Sequence, residues 1–148
     1  MHVEFYVFEH ANHQQTKTAL CHLVETWYKN GWRIAILCAS PQEMQLLDQL
    51  LWTFSDTSFI PHSVATTEHS MSSVRLYVDS SEIKDDLHII VNLSTQALIT
   101  VTASHCLVEI VFSDESVQQL ARGRYKQYRD HGYQLKTIKM PLANIQSE

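Results

Sequence analysis

The sequence predicts an α/β fold in three layers: a mainly parallel sheet flanked by helices, Rossmann-like but without a nucleotide-binding loop. Short apolar segments alternate along the chain with segments whose apolar residues recur at helical spacing, which is typical of βαβ units. The 148 residues include only three glycines, and neither phosphate-binding motif, GxGxxG or GxxxxGK[ST], can be written. Nucleotide binding through either standard loop is therefore excluded. At this length we expect one domain, residues 1–148.

The first elements follow from local patterns. Val3–Glu9 alternates apolar residues and is rich in β-forming side chains, which predicts a strand. Thr16–Asn30 places apolar residues at i, i+3, i+4 and i+7, which predicts an amphipathic helix, and Gly31 follows where a left-handed cap is expected. Arg33–Ala39 is almost wholly apolar, as in a central strand that is covered on both faces.

The middle of the chain begins with the clearest local signal. The sequence Ser-Pro-Gln-Glu at 40–43 combines an N-cap, a proline at the first helical position and a capping glutamate, and it predicts a helix to about Phe54. Residues 59–62 contain Pro61 and are expected to be extended, because a residue that precedes a proline avoids the α region. Residues 62–73 are rich in serine and threonine and predict a loop.

The last third alternates again between strands and a helix. Glu115–His131 predicts a helix that opens at Ser113 or Asp114 and closes at Gly132. Ser94–Ser104 is open between strand and short helix, because its β-branched residues oppose the helix that the topology favours. The other apolar segments predict strands: Val74–Val78, Leu87–Leu93, Leu107–Phe112 and Tyr133–Met140.

Charge is distributed unevenly along the chain. The net charge is −5, yet residues 117–139 carry six basic side chains and one acidic one, while residues 1–116 carry five basic and 14 acidic ones. An acidic body is a poor general binder of nucleic acid, because phosphate is repelled over most of the surface. A local basic patch on such a body suits a compact anionic partner, such as an acidic peptide.

Composition also indicates the cellular compartment in which the protein works. The three cysteines are far apart and form no CxxC motif, which fits a reducing cytosol. The first ten residues carry two glutamates, unlike a signal peptide. Residues 87–108 lack Asp, Glu, Lys and Arg, but their many polar groups favour buried strands over a membrane span. We expect a cytoplasmic protein.

An enzyme is the alternative from another class. His10 and His13 have the spacing of a chelate, but no Cys, Asp or Glu clusters with them, so surface or structural histidines are favoured. Cys38 ends a predicted central strand, where active-site residues of open α/β sheets lie, although a free cysteine is more often a buried small hydrophobe. A small cytosolic α/β enzyme with a histidine or cysteine site stays open on this basis.

The predicted C-terminal helix carries the most distinctive pattern. Gln118, Arg122, Tyr125 and Arg129 share one face, and Lys126 lies beside them. An arginine can clamp a carboxylate with two hydrogen bonds, while a tyrosine ring provides an apolar wall. The opposite, core-directed face is expected to consist of Val117, Leu120, Ala121 and Tyr128.

Two other interpretations of this helix stay open. One is an ordinary solvated basic face. The other is direct binding of single-stranded DNA, with bases stacked on Tyr125 or Tyr128, which the acidity of the whole chain weakens.

Two segments resemble the chi subunit family of the bacterial DNA polymerase III clamp-loader assembly. They are LLWTFSDTSFIPH at 50–62 and ARGRYKQYRDHGYQL at 121–135, and the opening FYVFE and GWRIAIL segments fit as well. The resemblance implies an α/β fold without known nucleotide function and a non-catalytic adaptor. Such an adaptor joins the clamp loader, through the psi subunit, to the acidic, Phe-ending tail of single-stranded-DNA-binding protein. It implies no cofactor, only indirect contact with DNA, and a cytoplasmic location at the nucleoid through the replisome.

The resemblance also assigns residues. Trp52, Phe59 and Pro61 are implied to lie in or near the psi-binding surface, which can also accept a helicase. Arg122 and Tyr125 match the tail-binding arginine and tyrosine of the family.

Further residues complete the implied tail site. Gln118 stands where the family can carry a lysine, so one positive charge is missing. Arg122 would clamp a carboxylate and Tyr125 would form a wall for the phenyl ring. Val117 is expected to supply an apolar floor. The acidic residues upstream would be steered by Arg124, Lys126 and Arg129.

Overall fold

The computed structural model describes residues 2–8, 11–54, 62–64, 73–83, 87–99 and 106–140. Strands and helices alternate along these ranges. The strands are β1 (His2–Val7), β2 (Ile34–Leu37), β3 (His62–Val64), β4 (Val74–Tyr77), β5 (Ile89–Asn92), β6 (Cys106–Val111) and β7 (Gln134–Lys139). The α-helices are α1 (His13–Lys29), α2 (Pro41–Thr53) and α3 (Glu115–Asp130), and Ser80–Glu82 forms a short 3-10 helix.

The seven strands form one sheet in the order β3-β4-β2-β5-β6-β1-β7. Every neighbouring pair in this order is parallel. The central strands β2 and β5 are buried along their whole length, because helices or connecting segments cover both faces. The predicted α/β class with a mainly parallel sheet is confirmed.

Strand alternation separates two apolar clusters, one on each face of the sheet. On β1, Tyr6 faces the cluster that contains the buried residues of α1 and α2. Val3 and Phe5 face the opposite cluster, which contains Ala121 and Tyr128 of α3. The protein therefore has the three predicted layers, with α1 and α2 on one face and α3 on the other.

The helix starts follow capping chemistry. At α2 the Ser40 hydroxyl accepts a hydrogen bond from the Glu43 amide at 3.1 Å, as the sequence predicts. The start of α1 differs, since the helix begins three residues before the predicted Thr16. Asn12 provides the reason, because its side chain accepts from the Gln15 amide at 2.7 Å while the Gln15 side chain accepts from the Asn12 amide at 2.9 Å.

Other boundaries also depart from the predictions. Residues 62–64, expected to begin a loop, form the edge strand β3 beside β4. Residues 94–99 form neither of the two elements left open for that segment, and 100–105 lie outside the described residues. Among the helices of the described ranges, none has the length and hydropathy needed to span a bilayer.

Two glycines in and after α3 should respond oppositely to alanine. Gly132 has φ +82°, in the left-handed region, so Gly132→Ala should lower the free energy of unfolding by about 1 kcal/mol. Gly123 is helical and a Cβ there would meet nothing within 4 Å, so Gly123→Ala should raise it by about 0.5–1 kcal/mol. Urea unfolding of both variants measures the two changes in the free energy of unfolding. A destabilising Gly123→Ala would contradict the prediction.

Candidate functional site

Helix α3 packs against β6 and β7 and so lies over β1, which runs between them. It begins at Glu115 and is followed by Gly132, as predicted. Ala121 and Tyr128 are its buried apolar residues. Together with Arg124 they form a narrow buried stripe, and a cleft opens on either side of it.

The first cleft lies on the flank nearer β7, and we call it the β7-side pocket. Its cavity volume is about 230 Å³. Its lining comes from β1, β6, α3 and β7 and consists of Phe5, Val7, Val111, Gln118, Ala121, Arg122, Tyr125 and Thr137. The structure therefore brings together three of the predicted site residues, namely Gln118, Arg122 and Tyr125.

The β7-side pocket has an apolar interior and a charged mouth. Tyr125 is half-buried, and its ring centroid lies 5.3 Å from that of Phe5 at an interplanar angle of 52°. Ala121 is buried at the base of the helix flank, and its small side chain leaves the floor open. Arg122 is exposed at the mouth. Such a pocket can take an aromatic side chain while a guanidinium binds an attached carboxylate.

The second cleft lies on the opposite flank of α3, beside the carboxyl end of β5. Val117, Leu120 and Arg124 line it from the helix, and its volume is about 160 Å³. Val117 was expected to form the apolar floor of the tail site, but it lines this cleft instead. The reason is helical geometry: Val117 lies 100° from Gln118 around the axis, and Gln118 faces β7. Leu120, expected to face the core, is 52% exposed.

Arg124 lies beneath the helix in a buried hydrogen-bond network. Its Nε donates to Oε1 of Glu109 on β6 at 3.0 Å. Oε2 of Glu109 accepts from the Tyr128 hydroxyl at 2.5 Å and from Nδ2 of Asn92 at 2.8 Å. Desolvation raises the pKa of the Glu109 carboxyl, and the charge of Arg124 opposes that rise. The Tyr128 hydroxyl also accepts from the Leu98 amide at 3.0 Å.

This network corrects one prediction. Arg124 is only 5% exposed and is paired with Glu109, so it does not steer an acidic peptide from the surface. Glu109 is the signal that sequence reasoning missed, because it is a lone charge inside an otherwise apolar strand. A carboxylate at such a position needs a buried partner.

The other basic residues of α3 lie outside the lining of the β7-side pocket. Lys126 and Arg129 are both exposed. The Arg129 guanidinium Nε lies 3.6 Å from the Asp130 carboxylate, in a pair that is open to solvent. Such pairs contribute little to stability. Both side chains remain available to attract an anion approaching α3.

The predicted psi-binding residues are only partly described. Trp52, near the end of α2, is 48% exposed. Leu46 is exposed on the same helix, whereas Phe54 packs edge-to-face on His22 with a centroid distance of 5.0 Å. Phe59 and Pro61 lie outside the described residues. The helix therefore presents apolar side chains to solvent on the face of the sheet opposite the β7-side pocket.

Few features support the histidine or cysteine enzyme. In the described ranges no group of three or more His, Cys, Asp and Glu side chains is placed to hold a metal ion, and His10 lies outside those ranges. His13 Nε2 lies 2.9 Å from the Asp114 carboxylate. Burial raises the pKa of the Cys38 thiol to about 12, so the reactive thiolate is scarce at neutral pH.

Sequence comparisons identify a family. The family model described as "DNA polymerase III chi subunit, HolC" matches residues 1–136. DNA polymerase III subunit chi of Pseudomonas aeruginosa is 29% identical over 139 residues, covering 94% of this chain and 96% of that protein. The Escherichia coli subunit of the same name is 29% identical over 119 residues, covering 80% of this chain and 81% of that protein.

Solved structures share the fold at low identity. The C-terminal domain of the DEAD-box protein Dbp5 superimposes with a TM-score of 0.62 at 11% identity, covering 95% of this chain and 91% of that one. T4 UvsW gives a TM-score of 0.65 at 8% identity, covering 95% of this chain and 41% of that one. At these identities the likeness describes the fold alone.

The Glu109 network predicts different roles for two neighbouring arginines. Arg124→Met should lower the free energy of unfolding by about 3–5 kcal/mol, because it leaves the Glu109 carboxylate buried without its cation. Arg122→Met, at an exposed position, should change it by no more than about 0.5 kcal/mol. Urea unfolding measures both, and adding Glu109→Gln to Arg124→Met should recover part of the loss. Equal effects at the two positions would disprove the assignment.

Proposed function

Since this chain belongs to the family of DNA polymerase III chi subunits, we propose that it serves replication as a non-catalytic adaptor. One surface would bind the psi subunit and so tie the chain to the clamp loader. The other would bind the acidic tail of single-stranded-DNA-binding protein. The chain would work in the cytoplasm, need no cofactor and contact DNA through its partners.

The observation that carries the proposal is the β7-side pocket. A peptide that ends in phenylalanine presents a phenyl ring and a carboxylate on the same residue. The ring would enter the pocket beside the packed pair of Tyr125 and Phe5, near Ala121, and the carboxylate would pair with Arg122. An apolar interior with one cation at its mouth recognises both groups together.

Charge around the pocket supports an acidic ligand. Arg122 and Lys126 are exposed on the same side of α3, with Arg129 one turn further on. These cations would attract acidic residues upstream of the peptide terminus and raise its rate of association. Gln118 can donate a hydrogen bond from the pocket wall but contributes no charge.

The proposed psi surface is spatially separate from the tail site. Trp52 lies on α2, which packs on the opposite face of the sheet from α3. Large exposed aromatic and aliphatic side chains are typical anchors of protein interfaces. Phe59 and Pro61 are assigned to this surface only because they match the family motif at 50–62. Two partners on opposite faces could bind at once, and a helicase would compete with psi.

Direct binding of single-stranded DNA is less well supported. Tyr128, one of its two proposed stacking residues, is fully buried. Tyr125 is half-buried against Phe5, so only part of its ring is accessible. A stacking platform for successive bases needs exposed aromatic faces.

Arg122 should be essential for peptide binding. Fluorescence anisotropy with a labelled acidic peptide ending in phenylalanine should give micromolar affinity that weakens as salt rises. Arg122→Gln should weaken it about tenfold or more, because the carboxylate loses its charged partner. Lys29→Gln makes the same charge change on α1 and serves as the control, with little effect expected. An unchanged affinity in Arg122→Gln would rule out the site.

Trp52 should anchor the psi subunit. Trp52→Ala should abolish co-purification with a psi-like subunit and leave peptide binding intact, since the two surfaces lie on opposite faces. Leu120→Ala removes a comparably exposed apolar side chain from α3 and is the matched control. If both variants retain psi, the α2 surface is not its binding site.

A further inference from the structure

Strand β7 presents its two lysines to opposite faces of the sheet. Ile138 and Met140 pack into the cluster on the α1 and α2 face, whereas Leu135 packs into the cluster beneath α3. Because side chains alternate along a strand, Lys139 lies on the α3 face and Lys136 on the other. Both lysines are exposed.

The register places Lys139 beside the β7-side pocket. Phe5 pairs with Thr137 and Val7 with Lys139. Phe5, Thr137 and Val7 all line the pocket, so the Lys139 side chain starts one strand spacing, about 4.8 Å, from a lining residue on the same face. The ladder holds at this end, since the Met140 amide donates to the Val7 carbonyl at 2.9 Å.

The direction of α3 identifies what faces Lys139 across the pocket. The helix connects the carboxyl end of β6 to the amino end of β7, so its first turns lie near the carboxyl ends of the strands. Val7 and Lys139 lie at those ends, and Gln118 lines the pocket from the helix there. Lys139 and Gln118 therefore flank the same end of the pocket.

The local charges leave Lys139 available to a ligand. Arg122 is the cation of α3 that lines the pocket, and the acidic residues of that helix, Glu115 in its first turn and Asp130 at its end, are not among the lining residues. Val7 of β1, which pairs with Lys139 of β7, is neutral. Within the described ranges, neither Lys139 nor Arg122 forms an ion pair.

We propose that Lys139 is a specificity-determining residue of the β7-side pocket, binding a carboxylate upstream of the peptide's terminal phenylalanine. This inference rests on the proposed function and deepens it. The peptide would lie between a cation on α3 and a cation on β7. Arg122 would select the free terminus, while Lys139 would select acidic residues before it. Lys139 would thus supply, from the strand side, the charge that Gln118 does not supply from the helix.

The test measures anisotropy at low salt with a labelled peptide of aspartates ending in phenylalanine. Lys139→Gln should weaken binding about threefold to tenfold, because one direct charge contact is lost. Lys136→Gln, with the same charge change on the other face of β7, should weaken it less than about twofold. Adding Gln118→Lys to Lys139→Gln should restore most of the affinity, because the charge returns to the same end of the pocket.

A second peptide separates the loss of a charge interaction with aspartate from structural damage to the pocket. With asparagine in place of aspartate, Lys139→Gln and the unaltered protein should bind alike. Equal weakening by Lys139→Gln and Lys136→Gln, or no effect at Lys139, would overturn the inference while Arg122→Gln still weakens binding. If Arg122→Gln has no effect, or the unaltered protein does not bind, the proposed function fails. The proposed role of Lys139 then fails as well.

Discussion

The orientation of α3, and with it the β7-side pocket, depends on one buried carboxylate, that of Glu109. Glu109 lies in the middle of β6 with no access to water, so its oxygens need donors from the protein. Two of the donors, Arg124 and Tyr128, lie one turn apart on α3, and the third is Asn92 at the end of β5. Two contacts on one helix fix both its rotation and its position along the strand. That rotation turns Arg122 outward and towards β7.

The sheet separates the two proposed interactions. Everything that forms the β7-side pocket comes from one face and one end of the sheet, whereas Trp52 belongs to a helix on the other face. The buried central strands lie between the two faces, so a partner on α2 would make no direct contact with the pocket. For the proposed adaptor, this separation would let each partner exchange without displacing the other.

Local patterns predicted the elements well because capping and periodicity are short-range. The alternation of strands and helices, the Ser40 cap and the extent of α3 all follow from neighbouring residues. Periodicity also separates Arg124 from Arg122, because Arg124 lies three residues after Ala121 and four before Tyr128, but it does not identify the buried partner of Arg124. That partner is Glu109, fifteen residues before Arg124, and the pairing depends on how the helix sits over the strand. The pocket floor was missed for the same reason, since it comes from β1 and β6.

The position of β1 has a consequence for synthesis. This first strand is inserted between β6 and β7, which follow it by about a hundred residues or more. A nascent chain cannot complete this edge of the sheet until β7 has left the ribosome, and pairings over such separations form slowly. The β7-side pocket, which takes its lining from β1, β6, α3 and β7, is therefore among the last features to assemble. Chains truncated before β7 would lack this pocket and so could not engage an acidic tail through it.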